Sequence, residues 1–256
     1  PQRVVTLTPH LAELAHAAGI ADRLVGVSAF SDYPPGMERL PTVGDAFSLD
    51  WERLVASRPD MVLAWKSSLA ERDRAEFEKL GLKLLVLEPR RLGDIPKAIR
   101  LIGRIANTER AAEAAAHAYD LQYDLLRKQY AAQPVMRVYF QIAATPLLTV
   151  SDDHIISDVL RLCGAQNAFP GAQPLVMIVS EEALVAAQPE LLLGIATSRE
   201  AEAEMTSLWQ TLPVAAMQQG MTGFVPPDLI SRPSPRILQG ARQVCEQIEK
   251  ARKRQP

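Results

Sequence analysis

The stretch WERLVASRPDMVL (51–63) decides the fold of this chain, because its pattern returns as EEALVAAQPELLL (181–193). Both copies contain an acid, the triplet Leu-Val-Ala, a proline, a second acid and an apolar run, and Pro59 lies 130 residues before Pro189. A proline cannot continue a helix, so each copy predicts a helix that ends before the proline and a buried strand after it. We interpret the copies as equivalent connections in a duplicated chain. A chance similarity between two helix–strand connections is the alternative.

Around the first copy, short apolar runs alternate with amphipathic helical patterns. The runs are RVVTL (3–7), LVGV (24–27), DMVLAW (60–65) and LKLLVLEP (82–89). This alternation is typical of βαβ units with parallel strands, so we predict an α/β fold. In TPHLAELAHAAG (8–19), Thr8 as N-cap, Pro9 in the first turn and Gly19 at the end delimit a helix.

The segment TERAAEAAAHAYDLQYDLLRKQY (108–130) contains neither Gly nor Pro, which predicts one continuous helix of about 34 Å. One stripe of this helix carries only apolar side chains, namely Ala114, Ala118, Leu121 and Leu125. We therefore predict an N-terminal α/β lobe over 1–105, a linking backbone helix over 106–130 and a C-terminal α/β lobe over 131–256. A cleft between two such lobes is the default place for a binding site.

Composition excludes several classes of function. The chain has 256 residues, 48% of them hydrophobic and 23% charged, which is typical of a soluble globular protein. A formal net charge of −2 provides no broad electropositive surface for nucleic acid. No segment has the roughly 18 uninterrupted apolar residues of a membrane span, so no membrane insertion is expected. The chain begins at Pro1 with a strand-like run, so we expect that any signal peptide has been removed.

The usual catalytic motifs are absent from the sequence. It contains no G-x-G-x-x-G after a strand, no G-K-[ST] phosphate loop, no G-x-S-x-G elbow and no H-E-x-x-H. In HLAELAH (10–16), His10 and Glu13 share a helix face, but His16 is rotated away, so we predict no metal site. His16 is expected to be partly buried and His10 to be able to line the cleft. We predict no cofactor and no enzymatic activity.

Other polar residues also have simple structural interpretations. Asp152 and Asp153 precede an apolar helical pattern, so we interpret them as helix N-caps, and we expect His154 to be solvated. Cys163 and Cys245 lack the spacing of a zinc site or a C-x-x-C redox pair. They are either buried free thiols or one disulfide.

Seven stretches together carry a family resemblance: RVVTLTPHLAELAHAAG, LVGVSAFSDYPP, ERLVASRPDMVLAW, AERDRAEFEKLGLK, LCGAQNAF, RPSPRI and QVCEQI. They resemble the periplasmic vitamin B12 (cobalamin) binding proteins of ABC importers, within the helical-backbone (class III) substrate-binding protein family. The resemblance spans nearly the whole chain. It implies two Rossmann-like lobes joined by a single long helix, with a ligand cleft between them, and a Cys163–Cys245 disulfide.

The resemblance also implies the function. It implies a periplasmic monomer that captures cobalamin or a related corrinoid, a large small-molecule ligand, and delivers it to the transmembrane permease. Ligand contacts are implied for four aromatic residues of the first lobe, Phe30, Tyr33, Phe47 and Trp65. On the second lobe they are implied for one loop, Asp228, Leu229, Ile230, Ser231 and Arg232. The alternatives are a loop packed on its own lobe for Phe30 and Tyr33, core capping for Trp65, and a surface ion pair for Asp228 and Arg232.

Acidic residues are implied to dock on the permease. Glu71 matches the acid of the first lobe, and the 130-residue repeat carries this position to Ala201, which lies between Glu200 and Glu202. One of these two glutamates is the predicted second-lobe contact, because a two-fold permease requires related acids on both lobes. A solvated acidic loop is the alternative.

Some positions depart from the cobalamin binders, which keeps other ligands open. Ala46 stands where the family has a tryptophan. Four more positions lack the family's aromatic rings: Ile142, Val176, Leu229 and Ile230. Haem is one alternative ligand, with Tyr33 or His10 as axial residue, and a ferric siderophore held by Arg232 and Arg236 is another. A cytosolic α/β enzyme or sensor is the alternative from a different class.

Overall fold

Four short strands near the N-terminus form one parallel sheet in the computed structural model. The structure describes residues 1–45, 47–130, 132–171 and 174–254. The strands are β1 (Val4–Thr6), β2 (Leu24–Gly26), β3 (Met61–Trp65) and β4 (Leu84–Leu87). Their order in the sheet is β2-β1-β3-β4. Each predicted apolar run supplies one strand, so the predicted parallel α/β arrangement is confirmed.

One helix follows each of these strands or precedes the next, and the helix ends follow the chemistry of the sequence. They are α1 (Pro9–Ala17), α2 (Trp51–Ala56), α3 (Glu71–Lys79) and α4 (Ile95–Ala106). Helix α1 begins with Pro9 after Thr8 and is followed by Gly19, whose φ of 81° suits a glycine beyond a helix end. The Thr8 hydroxyl, however, makes no cap hydrogen bond. It contacts the His10 ring instead.

The long helix α5 (Glu109–Tyr130) is continuous, but it starts three residues later than the predicted linking helix over 106–130, because α4 ends at Ala106 and Asn107 has a left-handed φ of 54°. Its apolar stripe has a different role from the one that periodicity suggests, because Leu121 and Leu125 are 53% and 67% exposed. The buried face carries other residues: Ala112, Ala116, Tyr119, Leu126 and Tyr130. Alanines occur on both faces of this helix, so its pattern does not distinguish the packed face from the exposed one.

The second half of the chain builds a larger mixed sheet. Its strands are β5 (Met136–Ala143), β6 (Leu148–Val150), β7 (Ala165–Asn167), β8 (Val176–Ile178), β9 (Leu191–Ile195) and β10 (Thr222–Val225). Its helices are α6 (Ile155–Leu162), α7 (Glu181–Ala187), α8 (Arg199–Gln210), α9 (Ala215–Gln218), α10 (Pro227–Ile230) and α11 (Ile237–Arg252). The sheet order is β10-β9-β5-β6-β8, and β7 also pairs with β5. Strands β6 and β8 are antiparallel additions.

The parallel part of this sheet repeats the first one. The order β7-β5-β9-β10 matches β2-β1-β3-β4 when the strands of each half are counted from its own start. Strand β9 begins and ends 130 residues after β3. The helices before them are capped at equivalent positions, since Asp50 accepts the Arg53 backbone N–H and Ser180 accepts that of Ala183. The predicted duplication is therefore confirmed in the topology.

Contacts between residues divide the chain into two compact units. The first unit comprises Pro1–Pro89, Gly93–Asp120 and Pro233–Pro235, and the second comprises Arg90–Leu92, Leu121–Arg232 and the segment from Arg236 onward. Helix α5 contributes residues to both units. The first unit has a core of aliphatic and aromatic side chains: Val5, Leu7, Val43, Leu54, Val62, Ala64 and Phe77. None of the described helices is long and apolar enough to cross a bilayer.

The second unit contains a disulfide bond, so its two cysteines are not free thiols. Cys163 and Cys245 form the bond that the resemblance implied, and it joins the end of α6 to α11. Closing a loop with a sequence separation of 82 contributes roughly 4.5 kcal/mol in the chain-entropy treatment, as an upper bound.

The interpretation of the residues before α6 was wrong. His154 is the N-cap: its Nδ1 accepts the Ile156 backbone N–H at 3.2 Å. Asp152 and Asp153 instead form ion pairs with two arginines, Arg161 and Arg91 respectively. Burial lowers the pKa of His154 to about 4, so this residue is not a solvated histidine.

Candidate ligand-binding site

Trp65 ends strand β3, at the carboxyl edge of the first unit's parallel sheet. This edge is where ligands usually bind in open α/β sheets. The indole is half-buried, and the His10 ring lies almost perpendicular to it, at 82° and 4.4 Å between ring centroids. His10 is only 8% exposed, and its Nε2 lies 3.2 Å from the Thr8 hydroxyl. Trp65 is therefore supported on one side by helix α1.

Phe30 projects from the loop that follows β2. It is 82% exposed, and its φ of 64° places an aromatic residue in the left-handed region. A non-glycine residue in this region costs roughly 1–3 kcal/mol. On either side of it in the chain, Ser28 and Ser31 are buried, and their hydroxyls lie 3.2 Å apart. The turn thus holds the Phe30 ring outward at an energetic cost that favours a role at the surface.

Tyr33 lies further along the same loop and is half-buried. Its ring contacts the His16 ring edge-on, with centroids 5.9 Å apart and planes at 86°. His16 is exposed, so the expectation that it is partly buried was wrong. It lies near the end of α1, where its ring contacts that of Tyr33. Pro34, which follows Tyr33, is buried and anchors the loop.

Phe47 is the most exposed of the predicted aromatic contacts, at 90%. Asp45 organises its turn by accepting the backbone N–H groups of Phe47 and Ser48 at 2.8 and 2.9 Å, and these bonds lower the pKa of the Asp45 carboxyl. Phe47 and Trp65 line one small cavity of about 60 Å³, together with Arg72. This space admits a side arm of a ligand but not a macrocycle. Ala46 lies outside the described residues.

On the second unit, the predicted polar contacts are Asp228 in helix α10 and Arg232, two residues after its end. Arg232 Nη2 donates to Asp228 Oδ1 at 2.7 Å; the Arg232 side chain is 12% exposed and that of Asp228 47%. The helix lies close to α11, because a Cβ on Gly240 would overlap the Leu229 carbonyl oxygen. Asp228 thus keeps accessible carboxylate surface while Arg232 fixes its orientation.

The other three residues of this loop differ in exposure. Leu229 is half-buried and Ser231 is exposed. Ile230 has no exposed surface, which corrects its assignment as a contact: its side chain packs in the core of the second unit. Alternating exposure of this kind is expected of a short helix with one packed face.

The predicted docking acids occupy similar places in the two units. Glu71 is the first residue of α3, and Glu200 and Glu202 lie in the first turn of α8. Helices α3 and α8 are the first α-helices after the equivalent strands β3 and β9. The Glu71 side chain is 91% exposed and pairs loosely with Arg74 at 3.7 Å. Backbone N–H bonding and the Ser198 hydroxyl lower the pKa of Glu200, so Glu200 is anionic at neutral pH.

Some surface features had no signal in the sequence. Val176 and Ile178, on the edge strand β8, are 37% and 67% exposed, and together they form an apolar edge. The support of Trp65 by His10 was also missed, since residues that are distant along the chain share no local pattern. Among the described residues, no group of three or more His, Cys, Asp or Glu side chains could hold a metal ion.

The sequence matches the periplasmic binding protein family over residues 4–207. The chain therefore belongs to this family of substrate-binding transport components.

Individual relatives are similar to this chain over nearly its whole length. The chain is 33% identical over 257 residues to the vitamin B12-binding protein of Pectobacterium atrosepticum, covering 97% of this chain and 88% of the relative. It is similar to the crystal structure of the periplasmic vitamin B12 binding protein BtuF of Vibrio cholerae, with a TM-score of 0.91, 30% identity and 98% coverage of both chains. A periplasmic heme binding protein from Pseudomonas aeruginosa is also similar, with a TM-score of 0.82, 25% identity and coverage of 96% and 91%.

Proposed function

We propose that this protein is the periplasmic substrate-binding component of an ABC importer and that it binds cobalamin or a related corrinoid. The observation that carries the proposal is the similarity to vitamin B12-binding proteins along 97% of the chain and 98% of its fold. The protein captures the corrinoid without making or breaking a bond in it and delivers it to the permease.

The ligand contacts follow from the exposed side chains. Phe30, Phe47 and Trp65 of the first unit offer apolar faces, which suit the corrin ring and its flanking groups. Asp228 of the second unit offers a carboxylate that accepts N–H groups from the amide arms of a corrinoid. Most of these amide arms carry no charge. Hydrogen bonds and apolar contacts, rather than ion pairs, therefore provide the affinity for the corrinoid.

Docking to the permease uses acidic helix starts. Glu71 and Glu200 are exposed carboxylates in the first turns of equivalent helices, and each meets a basic residue on one of the two transmembrane subunits. Charge reversal at either position therefore reduces transport but leaves ligand binding intact. Glu71→Lys and Glu200→Lys, compared with Glu204→Lys further along α8, separate docking from general charge effects.

Titration with three ligands identifies the substrate. Purified protein is titrated with cyanocobalamin, haem and a ferric catecholate, and binding is followed by absorbance and calorimetry. We expect sub-micromolar binding of cyanocobalamin and at least about a hundredfold weaker binding of the other two. Absence of cyanocobalamin binding together with tight binding of another ligand would remove the corrinoid and keep the transport class.

Haem is the competing ligand because a heme-binding protein shares the fold. It requires an axial side chain, and His10 is only 8% exposed with its Nε2 against Thr8. Tyr33 is the more accessible candidate. If haem binds, Tyr33→Phe should abolish the axial band in its absorbance spectrum, whereas corrinoid binding should change less than about threefold in this variant.

A further inference from the structure

The rings of His10 and Trp65 form a T-shaped, edge-to-face contact. The planes meet at 82°, and the centroids are 4.4 Å apart, just below the usual range of about 4.5–7 Å for aromatic pairs. Such an edge-to-face contact fixes the orientation of a ring without covering both of its faces.

His10 is itself held in place. It lies in the first turn of α1, is 8% exposed, and has its Nε2 3.2 Å from the hydroxyl of Thr8, which is 7% exposed. Thr8 precedes Pro9, whose ring fixes the backbone at the start of the helix. Thr8, His10 and Trp65 thus form a chain of contacts from the helix start to the end of β3.

We propose that His10 is a positioning residue that orients the Trp65 indole for ligand binding. This inference rests on the proposed function, because Trp65 is a ligand contact only if the chain binds a flat apolar ligand there. Holding the ring in one orientation before the ligand arrives reduces the entropy lost on binding. His10 therefore contributes to affinity through Trp65 and not through the ligand.

The test uses protein labelled with 5-fluorotryptophan, whose three fluorine resonances report on Trp51, Trp65 and Trp209 separately. Assignment comes from Trp65→Phe. In ligand-free protein, His10→Ala should shift or broaden the Trp65 resonance and leave the other two unmoved. Trp51 packs on Phe77, and Trp209 stacks on Phe224, so these resonances also show that the fold is intact.

Affinity for cyanocobalamin provides the second readout. His10→Ala should weaken binding about three- to tenfold, and His10→Phe, which keeps a ring edge, should recover most of the loss. Thr8→Val, which removes the hydroxyl at constant shape, should lie between these variants. In a Trp65→Ala background, His10→Ala should have almost no further effect, because the two residues act as one unit.

Each outcome is decisive for the positioning role. An unmoved Trp65 resonance in His10→Ala would overturn it, as would an equal loss of affinity from His10→Ala in the wild-type and Trp65→Ala backgrounds. If wild-type protein binds no cobalamin, the proposed function fails, and the fluorine spectra of ligand-free protein still decide whether His10 orders the indole.

Discussion

Asp60 and Glu190, 130 residues apart, make the same contact in the two units: each accepts the backbone N–H of an arginine at the start of a neighbouring strand. The arginines are Arg3, before β1, and Arg137, in β5. Their side chains complete the motif, since Arg3 donates to the Ser57 carbonyl oxygen and Arg137 to that of Ala187, at the ends of α2 and α7. The proline–acid pair of the repeated sequence therefore joins a helix end to a strand start.

Replacing either acid of this motif should lower the stability of the protein by a similar amount. Asp60→Asn and Glu190→Gln should each lower the free energy of unfolding by about 1 kcal/mol, since a charge-assisted acceptor is lost at an exposed position. Urea denaturation measures the change, and Glu52→Gln, at an exposed acid in the first turn of α2, is the control. Equal stability of all three variants with wild type would show that the motif does not stabilise the units.

The Asp60 carboxylate also predicts a pH dependence. Burial acts to raise its pKa, but hydrogen bonds from the backbone N–H groups of Gln2 and Arg3 outweigh burial and lower it. The stability that these bonds supply is present above the unfolded-state pKa and is lost as pH falls through the folded-state pKa. Asp60→Asn should therefore remove part of the acid sensitivity below about pH 4 in urea melts. Unchanged acid sensitivity in this variant would contradict the role of the carboxylate.

Because burial lowers the pKa of His154, the folded protein should lose stability as the pH falls. Its pKa is about 4 in the folded chain against 6.5 for the ordinary side chain, so the unfolded state binds the proton first. Between pH 7.5 and 5 the folded state should lose about 2 kcal/mol from this residue. His154→Ser keeps an N-cap and removes the titration, so its stability should change less over this interval in urea melts. An identical pH profile for both proteins would contradict the assignment.

Replacing Phe30 by glycine should raise the stability of the protein and weaken ligand binding. Phe30→Gly relieves a positive φ of 64° and should raise the free energy of unfolding by up to about 1 kcal/mol. Phe30→Ala loses the ring but keeps the unfavourable conformation, so it should not gain stability. Both variants should weaken cobalamin binding similarly, about threefold or more. Undiminished affinity in both would show that Phe30 is not a ligand contact.

The close packing of α10 against Gly240 of α11 should be required for ligand binding. A Cβ there would overlap the Leu229 carbonyl oxygen, so Gly240→Ala must displace the helix that carries Asp228. We expect a loss of stability of a few kcal/mol and about tenfold weaker cobalamin binding. Gly93→Ala, whose Cβ would meet no described atom within 4 Å, is the matched control. Calorimetry and thermal melts measure both effects, and wild-type affinity in Gly240→Ala would separate α10 from the binding site.

Most of the fold could be predicted from the sequence, because it depends on local patterns. The apolar runs, the proline at each helix end and the repeat itself located four parallel strands and their equivalents. Strands β6 and β8 were not predicted, since short antiparallel additions such as Val176–Ile178 depend on pairing partners that are distant along the chain. The packed face of α5 was also missed, because alanines make both faces similar.

Less of the candidate site than of the fold could be predicted from the sequence. The exposed positions of Phe30 and Phe47 agree with aromatic contacts, but these contacts remain predictions. Ile230 shows the limit of carrying a motif over residue by residue, because its neighbours are accessible and it is buried. His154 and His16 were misjudged for a common reason: whether a histidine is solvated depends on tertiary packing, which local sequence does not encode.

Calorimetric titration of the wild-type protein with cyanocobalamin, alongside Trp65→Ala and Asp228→Ala, tests the central claim most directly. We predict one ligand per chain with a sub-micromolar Kd, weakened about tenfold or more in each variant. No heat of binding in wild type, or binding that neither substitution alters, would contradict the claim that this chain holds a corrinoid through these residues.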